Sequence, residues 1–225
     1  MNTALVAAVR AGLAELADPV KAPQMQRYMR SDLPYRGVQT PLWRPLARRL
    51  GREHPSPDLA TLTATVRELW HGARFREERY VALQLTADRR WVTPELVPLY
   101  RELIESGAWW DFVDEIATHR IGPLLRGFPA ELTPIVRSWA VDEHLWLRRA
   151  SVICQVGSKS ATDTDLLTHC ISSTIGERDF FLRKGIGWAL RDYSRTDPAW
   201  VAAFVDAHPE LSPLSRREAV KYLPG

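Results

Sequence analysis

The apolar residues of this chain recur with the period of an α-helix. In the first segment Leu5, Val9 and Leu13 lie on one stripe, and the segment ends before Asp18-Pro19. No segment shows the period-two alternation that is typical of a strand, so we predict an all-α fold. The predicted helices cover residues 3–16, 23–29, 42–52, 58–70, 74–88, 94–106, 109–120, 121–128, 133–140, 143–157, 163–175, 177–193, 197–206 and 212–222.

A charged residue recurs at a fixed spacing within these helices. Arg79, Asp114, Arg149 and Lys184 are each 35 residues apart, and Arg217 follows after 33. We call these five residues the repeat row. Equivalent positions of successive helical repeats line one face of a solenoid. The spacing therefore predicts a right-handed array of about six helix pairs that forms one domain over residues 1–225.

One connection in the array is predicted to be exposed. Residues 31–41 contain two prolines and a glycine, which interrupt helices and favour turns. We expect this segment to present Tyr35, Arg36 and Gln39 to solvent.

Charge is distributed unevenly along the chain. The net charge of +3 and the pI of about 9.0 permit an anionic partner without requiring one. Solvated helix faces explain any single pair of adjacent basic residues, but five pairs, three of them in register with the repeat row, favour a surface that faces phosphates. The pairs are Arg48 and Arg49, Arg89 and Arg90, Arg148 and Arg149, Arg183 and Lys184, and Arg216 and Arg217.

Metal, cofactor and membrane classes have little support in the sequence. Cys154 and Cys170 have no metal-binding spacing, and the six histidines are scattered, so we expect no metal and no cofactor. The apolar start of the chain is interrupted by Arg10 and Glu15, which indicates an amphipathic helix rather than a signal peptide or a membrane span. We expect a cytoplasmic monomer with reduced cysteines in its core.

Two stretches carry candidate chemistry. Trp110 and Asp114 share one face of a helix, where an aromatic plane beside a carboxylate could hold a cation or a sugar. The alternative is that the tryptophans pack between repeats and that Asp114 pairs with a neighbouring arginine. In the second stretch, Trp188 lies one turn from Lys184 and from Arg191, so an aromatic side chain is flanked by cations.

Five motifs in this chain resemble those of the AlkD-type DNA alkylation repair glycosylases. They occur in order and span essentially the whole chain, which makes the resemblance specific. The motifs are Arg27-Tyr28-Met29 with Gly37-Val38-Gln39-Thr40-Pro41, Trp109-Trp110-Asp111-x-Val113-Asp114, Trp146-Leu147-x-Arg149-Ala150, Ile186-Gly187-Trp188-x-Leu190-Arg191, and Pro213-Leu214-Ser215-x-Arg217-Glu218-Ala219.

The resemblance implies an array of HEAT-like helical repeats whose concave basic face binds duplex DNA. It implies that positively charged N3- and N7-alkylated purines are released, that an abasic site remains, and that the base is not flipped into a pocket. By similarity, Asp114 is the catalytic carboxylate, Trp110 and Trp188 contact the sugar and backbone of the damaged nucleotide, and Arg149 holds a phosphate.

The same resemblance extends to the DNA contacts and has two departures. Tyr28 and Gln39 would approach the DNA opposite or beside the lesion. Arg183 and Gly185 stand where larger and less charged residues are expected.

The residues themselves support this chemistry and leave one alternative. A cationic purine is already a good leaving group, so the remaining task is to stabilise the sugar cation and guide water, which an ionised Asp114 can do. Lys184 and Arg191 are then expected to contact phosphate, and the enzyme is expected to be monofunctional. The alternative is a non-catalytic helical-repeat module that binds DNA or a protein. Asp114 separates the two hypotheses, because a phosphate-facing scaffold gains nothing from a carboxylate in that row.

Overall fold

The computed structural model describes residues 1–223, and its regular elements are all helical within that range. The all-α prediction is therefore confirmed. The chain divides into two compact units, Met1–Trp91 and Val92–Gly225. A single domain over residues 1–225 stays a prediction, and its last two residues lie outside the described part of the chain.

The first unit consists of five α-helices. Asn2 and Asp58 cap two of them by accepting a hydrogen bond from a backbone amide in the first turn. Helix α3 packs against α1 and α5, and α4 packs against α5. The helices are α1 (Thr3–Glu15), α2 (Ala22–Met29), α3 (Thr40–Glu53), α4 (Leu59–His71) and α5 (Arg76–Leu85).

The second unit is also built from short helices. Its helices are α6 (Val97–Gly107), α7 (Trp110–Ile116), α8 (Gly122–Gly127), α9 (Pro129–Ala140), α10 (Leu145–Ile153), α11 (Thr164–Thr174), α12 (Phe180–Tyr193), α13 (Pro198–Ala207) and α14 (Pro213–Ala219).

The repeat row occupies one structural position in this second unit. Each row residue of this unit lies one turn after the first residue of its helix. The first residues are Trp110, Leu145, Phe180 and Pro213. Helix α10 contacts α7, α12 contacts α10, and α14 contacts α12. These successive contacts are the ones expected of stacked repeats. The handedness of the array and its basic concave face stay predictions.

Several predicted helix boundaries were wrong. Residues 109–120 and 121–128 were expected to form two helices, but a wide π-helical turn at Ala117–Ile121 joins α7 to α8 without a break. Helix α9 begins at Pro129, four residues before the predicted start, because proline is well accommodated in a first helical turn. Helix α10 ends at Ile153, before the predicted end at 157.

The connection at 31–41 corrects another expectation. Tyr35 is buried, and its hydroxyl lies 2.7 Å from that of Tyr80, whereas Arg36 is partly buried. The fully buried carboxylate of Glu77 accepts hydrogen bonds from the backbone amides of Arg36, Gly37 and Val38 at 2.9–3.0 Å. The backbone is thereby fixed up to Gln39, which is exposed as predicted.

Helices α12 and α14 approach each other closely at Gly187. A Cβ atom at this position would lie 2.6 Å from Cβ of Glu218 and 3.1 Å from the carbonyl oxygen of Ser215. Both neighbouring atoms are held close to the backbone, so neither can move away cheaply. The glycine is therefore required by packing, which outweighs its poor helix propensity.

We predict that Gly187→Ala destabilises the protein by about 1–3 kcal/mol from overpacking, less the gain of about 1 kcal/mol in helix propensity. Gly127→Ala is the matched control, because no atom lies within 4 Å of its added Cβ. The change in unfolding free energy, measured by urea denaturation, should be a loss for Gly187→Ala and no loss for Gly127→Ala. Equal effects would contradict the packing explanation.

Candidate active site and nucleic-acid interface

Asp114 and Arg149 form the centre of the candidate site. The guanidinium of Arg149 donates from Nε to Oδ1 and from Nη2 to Oδ2 of Asp114, both at 2.8 Å. This bidentate geometry is the strongest form of a carboxylate–arginine pair. The Asp114 side chain is 18% exposed and the Arg149 side chain is 6% exposed, so the pair is shielded from water but reachable at the carboxylate. The predicted proximity of these two row positions is confirmed.

A third contact anchors Arg149 to the next repeat. Its Nη1 donates to the backbone carbonyl of Phe181 in the first turn of α12. The guanidinium passes over Gly185, where a Cβ atom would lie only 3.2 Å from Nη1. Gly185 therefore leaves the space that Arg149 occupies, which gives a physical reason for one of the two departures from the family pattern.

The two adjacent tryptophans at the start of α7, Trp109 as the N-cap residue and Trp110 as the first helical residue, have different surroundings. Trp109 packs in an aromatic cluster with Trp146 and Phe181, with ring centroids 5.0–6.1 Å apart. It thus has the packing role that was considered as the alternative. Trp110 is partly exposed and lies one helical turn before Asp114. Trp110 is therefore the indole on the face of Asp114.

Burial controls the protonation of Asp114. Loss of solvent raises the pKa of this carboxyl above its ordinary value, the Arg149 ion pair opposes that effect, and the negative charge of Asp111 adds to it. The carboxylate is consequently poorly hydrated and is stabilised mainly by one cation. Such a group gains strongly from any further positive charge that develops beside it.

A second charged cluster lies between α12 and α14. Nζ of Lys184 lies 2.8 Å from Oε1 of Glu218, and Arg191 contacts Oε2 of the same carboxylate. The hydrogen bond from Lys184 and the nearby cations lower the pKa of Glu218. No role was predicted for Glu218 from the sequence, although its place directly after Arg217 in one of the motifs was an available signal.

Trp188 and Arg191 line one pocket of about 210 Å³ at the end of α12. This pocket is predominantly polar and cationic, and Arg195 lies over the ring of Tyr222 with its Cζ 4.6 Å from the ring centre. The lining residues are Trp188, Arg191, Asp192, Arg195, Lys221 and Tyr222. The predicted grouping of Trp188 with cations is therefore seen in the structure.

The remaining candidates have separate settings. Tyr28, at the end of α2, is 76% exposed, and Gln39 precedes α3; both belong to the first unit. Arg79 of the repeat row instead donates from Nε to the carbonyl of Trp70 at 3.1 Å. Arg217 is exposed on α14.

Metal-ligand clusters and membrane-spanning helices are both absent from the described residues. Among residues 1–223, no three histidine, cysteine, aspartate or glutamate side chains are grouped as metal ligands are. No helix in the same range is long and apolar enough to span a membrane. Cys154 and Cys170 are buried free thiols, and burial raises the pKa of Cys170 to about 12.

Comparisons with known proteins identify the family. The model of the DNA alkylation repair enzyme family matches residues 9–223, so this chain belongs to that family. A solved structure described as a predicted DNA alkylation repair enzyme from Enterococcus faecalis is 30% identical, with a TM-score of 0.83; the match covers 92% of this chain and 96% of that one.

A second solved structure shares the fold only. The smu.31 protein of Streptococcus mutans UA159 is 17% identical, with a TM-score of 0.63, over 79% of this chain and 91% of that one. None of the curated proteins matches this chain in sequence.

The electrostatics of Asp114 lead to opposite predictions for two variants. Arg149→Ala should raise the pKa of Asp114 further, because the opposing cation is removed, whereas Asp111→Asn should lower it, because a like charge is removed. The measurement is a carboxyl-carbon NMR titration, with Asp114→Asn identifying the resonance. Shifts of the same sign in the two variants would contradict this arrangement of charges around Asp114.

Proposed function

We propose that this DNA alkylation repair enzyme is a monofunctional glycosylase. It hydrolyses the N-glycosidic bond of positively charged N3- and N7-alkylated purines in duplex DNA and leaves an abasic site, without flipping the base into a pocket. The observation that carries the proposal is the poorly hydrated carboxylate of Asp114, fixed by two hydrogen bonds from Arg149. Family membership supports the repair role.

The chemistry follows from the charge of the substrate. Alkylation at N3 or N7 makes the purine cationic, so it departs without protonation, and positive charge develops on the sugar. An ionised Asp114 stabilises that cation and accepts a proton from the attacking water. Each carboxylate oxygen accepts one hydrogen bond from Arg149 and keeps a second acceptor site for water.

The indole faces of Trp110 and Trp188 complete the proposed catalytic set. Both side chains are partly exposed on helices that carry row residues. The negative face of an indole stabilises a nearby cation by about 0.5–2 kcal/mol. In the proposal these rings contact the sugar and backbone of the damaged nucleotide.

Binding of DNA is assigned to the charged residues around this set. Lys184 and Arg191 are held in place by Glu218 and contact phosphates, with Tyr28 and Gln39 approaching the DNA from the first unit. Arg149 uses three of its five N–H donors in contacts with Asp114 and Phe181, and the proposal assigns a remaining donor to a phosphate near the lesion.

The structure gives Lys184 a partner that argues against strand cleavage. A lysine nucleophile must be neutral to attack the sugar. The Nζ of Lys184 instead forms an ion pair with the carboxylate of Glu218, at 2.8 Å. This engagement of the lysine supports the proposal of a monofunctional enzyme.

A non-catalytic DNA-binding module is the second candidate. The observation in its favour is that Arg149 donates a hydrogen bond to each oxygen of Asp114, as it would in a purely structural ion pair. A purely structural ion pair and a catalytic one look alike in this respect. They differ in what happens when the charge of Asp114 is removed.

We predict that Asp114→Asn lowers base release from methylated duplex DNA by about three orders of magnitude, because the stabiliser of the sugar cation is lost. DNA affinity should be unchanged or slightly higher, since a negative charge near phosphates is removed. The measurements are chromatography of released bases and a fluorescence anisotropy titration.

Asp111→Asn is the matched control, because it removes a carboxylate from the same helix and leaves the Asp114–Arg149 pair intact. It should retain activity at neutral pH. Full activity of Asp114→Asn would exclude the mechanism and leave the binding module as the better description. Circular dichroism checks that both variants are folded.

Substrate choice is predicted to follow the charge of the base. Duplexes with 7-methylguanine or 3-methyladenine should release the base. Uracil and hypoxanthine should stay attached to their sugars, because neutral bases need a general acid to leave. Release is measured for all four bases under one condition. Comparable release of uracil would require an acid and a base pocket that this mechanism does not include.

A further inference from the structure

A cavity of about 330 Å³ lies entirely within the first unit, and none of its lining residues is among those assigned to catalysis. Leu5, Leu62 and Leu85 supply apolar lining from three helices. Arg48, Arg52, His54, Arg90 and Trp91 supply polar and aromatic groups. Small-molecule sites commonly combine an apolar wall with a few polar groups in this way.

The cationic groups of the cavity are incompletely neutralised. Arg48 and Arg52 are one turn apart on α3 and, among the described residues, form no ion pair. Arg90 pairs with Asp88, with Nε at 3.1 Å and Nη2 at 3.0 Å from Oδ2. Asp88 is the one carboxylate among the lining residues, so the guanidinium groups of Arg48 and Arg52 have no counter-ion in the cavity. An anion in the cavity would relieve their mutual repulsion.

These arginines come from basic pairs that the repeat row does not include. Arg48 and Arg90 belong to the pairs at 48–49 and 89–90, which are far apart in the sequence and out of register with the row. The fold brings one member of each pair to the same cavity. Arg49, by contrast, does not line the cavity and pairs with Glu53 at 3.0 Å.

We infer that this cavity binds a phosphate group, with Arg48, Arg52 and Arg90 as its cationic ligands. The guanidinium fork matches phosphate oxygens in a bidentate manner, and Arg90 already lies 5.2 Å from the ring centre of Trp91, beside which a base or sugar could pack. The phosphate belongs either to the DNA backbone or to a free phosphorylated molecule. The inference does not rest on the proposed glycosylase activity.

The test compares the double variant Arg48→Gln/Arg52→Gln with the single variant Arg49→Gln. The single variant is the control, because it removes a neighbouring charge outside the cavity. Inorganic pyrophosphate and AMP are titrated into each protein and followed by NMR of the arginine side-chain N–H groups. Unmethylated duplex DNA is titrated in parallel at several salt concentrations. We expect the double variant to bind the free phosphates at least tenfold more weakly than the wild-type protein, and Arg49→Gln to stay within twofold of it.

The duplex titration separates the two sources of phosphate. If the DNA backbone occupies the cavity, the slope of log affinity against log salt should decrease by about two in the double variant only. Loss of free-phosphate binding with an unchanged slope would assign the cavity to a small molecule. The inference is overturned if neither measurement changes in the double variant, or if Arg49→Gln causes equal losses. Unchanged melting temperatures establish that the variants are folded.

Discussion

The ion pair between Asp114 and Arg149 is the interaction on which the candidate site depends. It joins α7 to α10, and the contact of Arg149 with the carbonyl of Phe181 extends the connection to α12. Desolvation raises the pKa of the Asp114 carboxyl, and the Arg149 ion pair opposes that effect. The pair therefore favours the ionised form of a poorly hydrated carboxylate, which is the form that the proposed mechanism uses.

Much of this site could be predicted from the sequence, because helical repeats convert a fixed spacing into proximity. The interval of 35 residues placed Asp114 beside Arg149, and the structure confirms the contact. The same reasoning missed Glu218, since it lies one residue beyond the row position and is brought to Lys184 by the close approach of α14 at Gly187. Spacing predicts which helices are neighbours, but packing decides which side chains meet.

Irregular segments were harder to predict for a related reason. The composition of residues 31–41 indicated an exposed turn, yet Tyr35 is buried against Tyr80 of α5, which is distant in the sequence. That contact depends on tertiary structure and has no local signal in the sequence. The π-helical turn at Ala117–Ile121 was missed similarly, because one extra residue in a turn does not alter the hydrophobic pattern enough to be recognised.

The buried carboxylate of Glu77 has a consequence for how this protein can vary. It holds Arg36, Gly37 and Val38 through their backbone amides, and every residue except proline supplies such an amide. The hydrogen bonds to Glu77 therefore do not depend on the side chains of these three residues, although Gly37 must stay glycine, because its φ is +84° and an added Cβ would lie 2.1 Å from the carbonyl oxygen of Asp18. Gln39 follows this anchored segment with its side chain exposed, so a substitution at Gln39 would change the surface of the first unit without removing any hydrogen bond to Glu77.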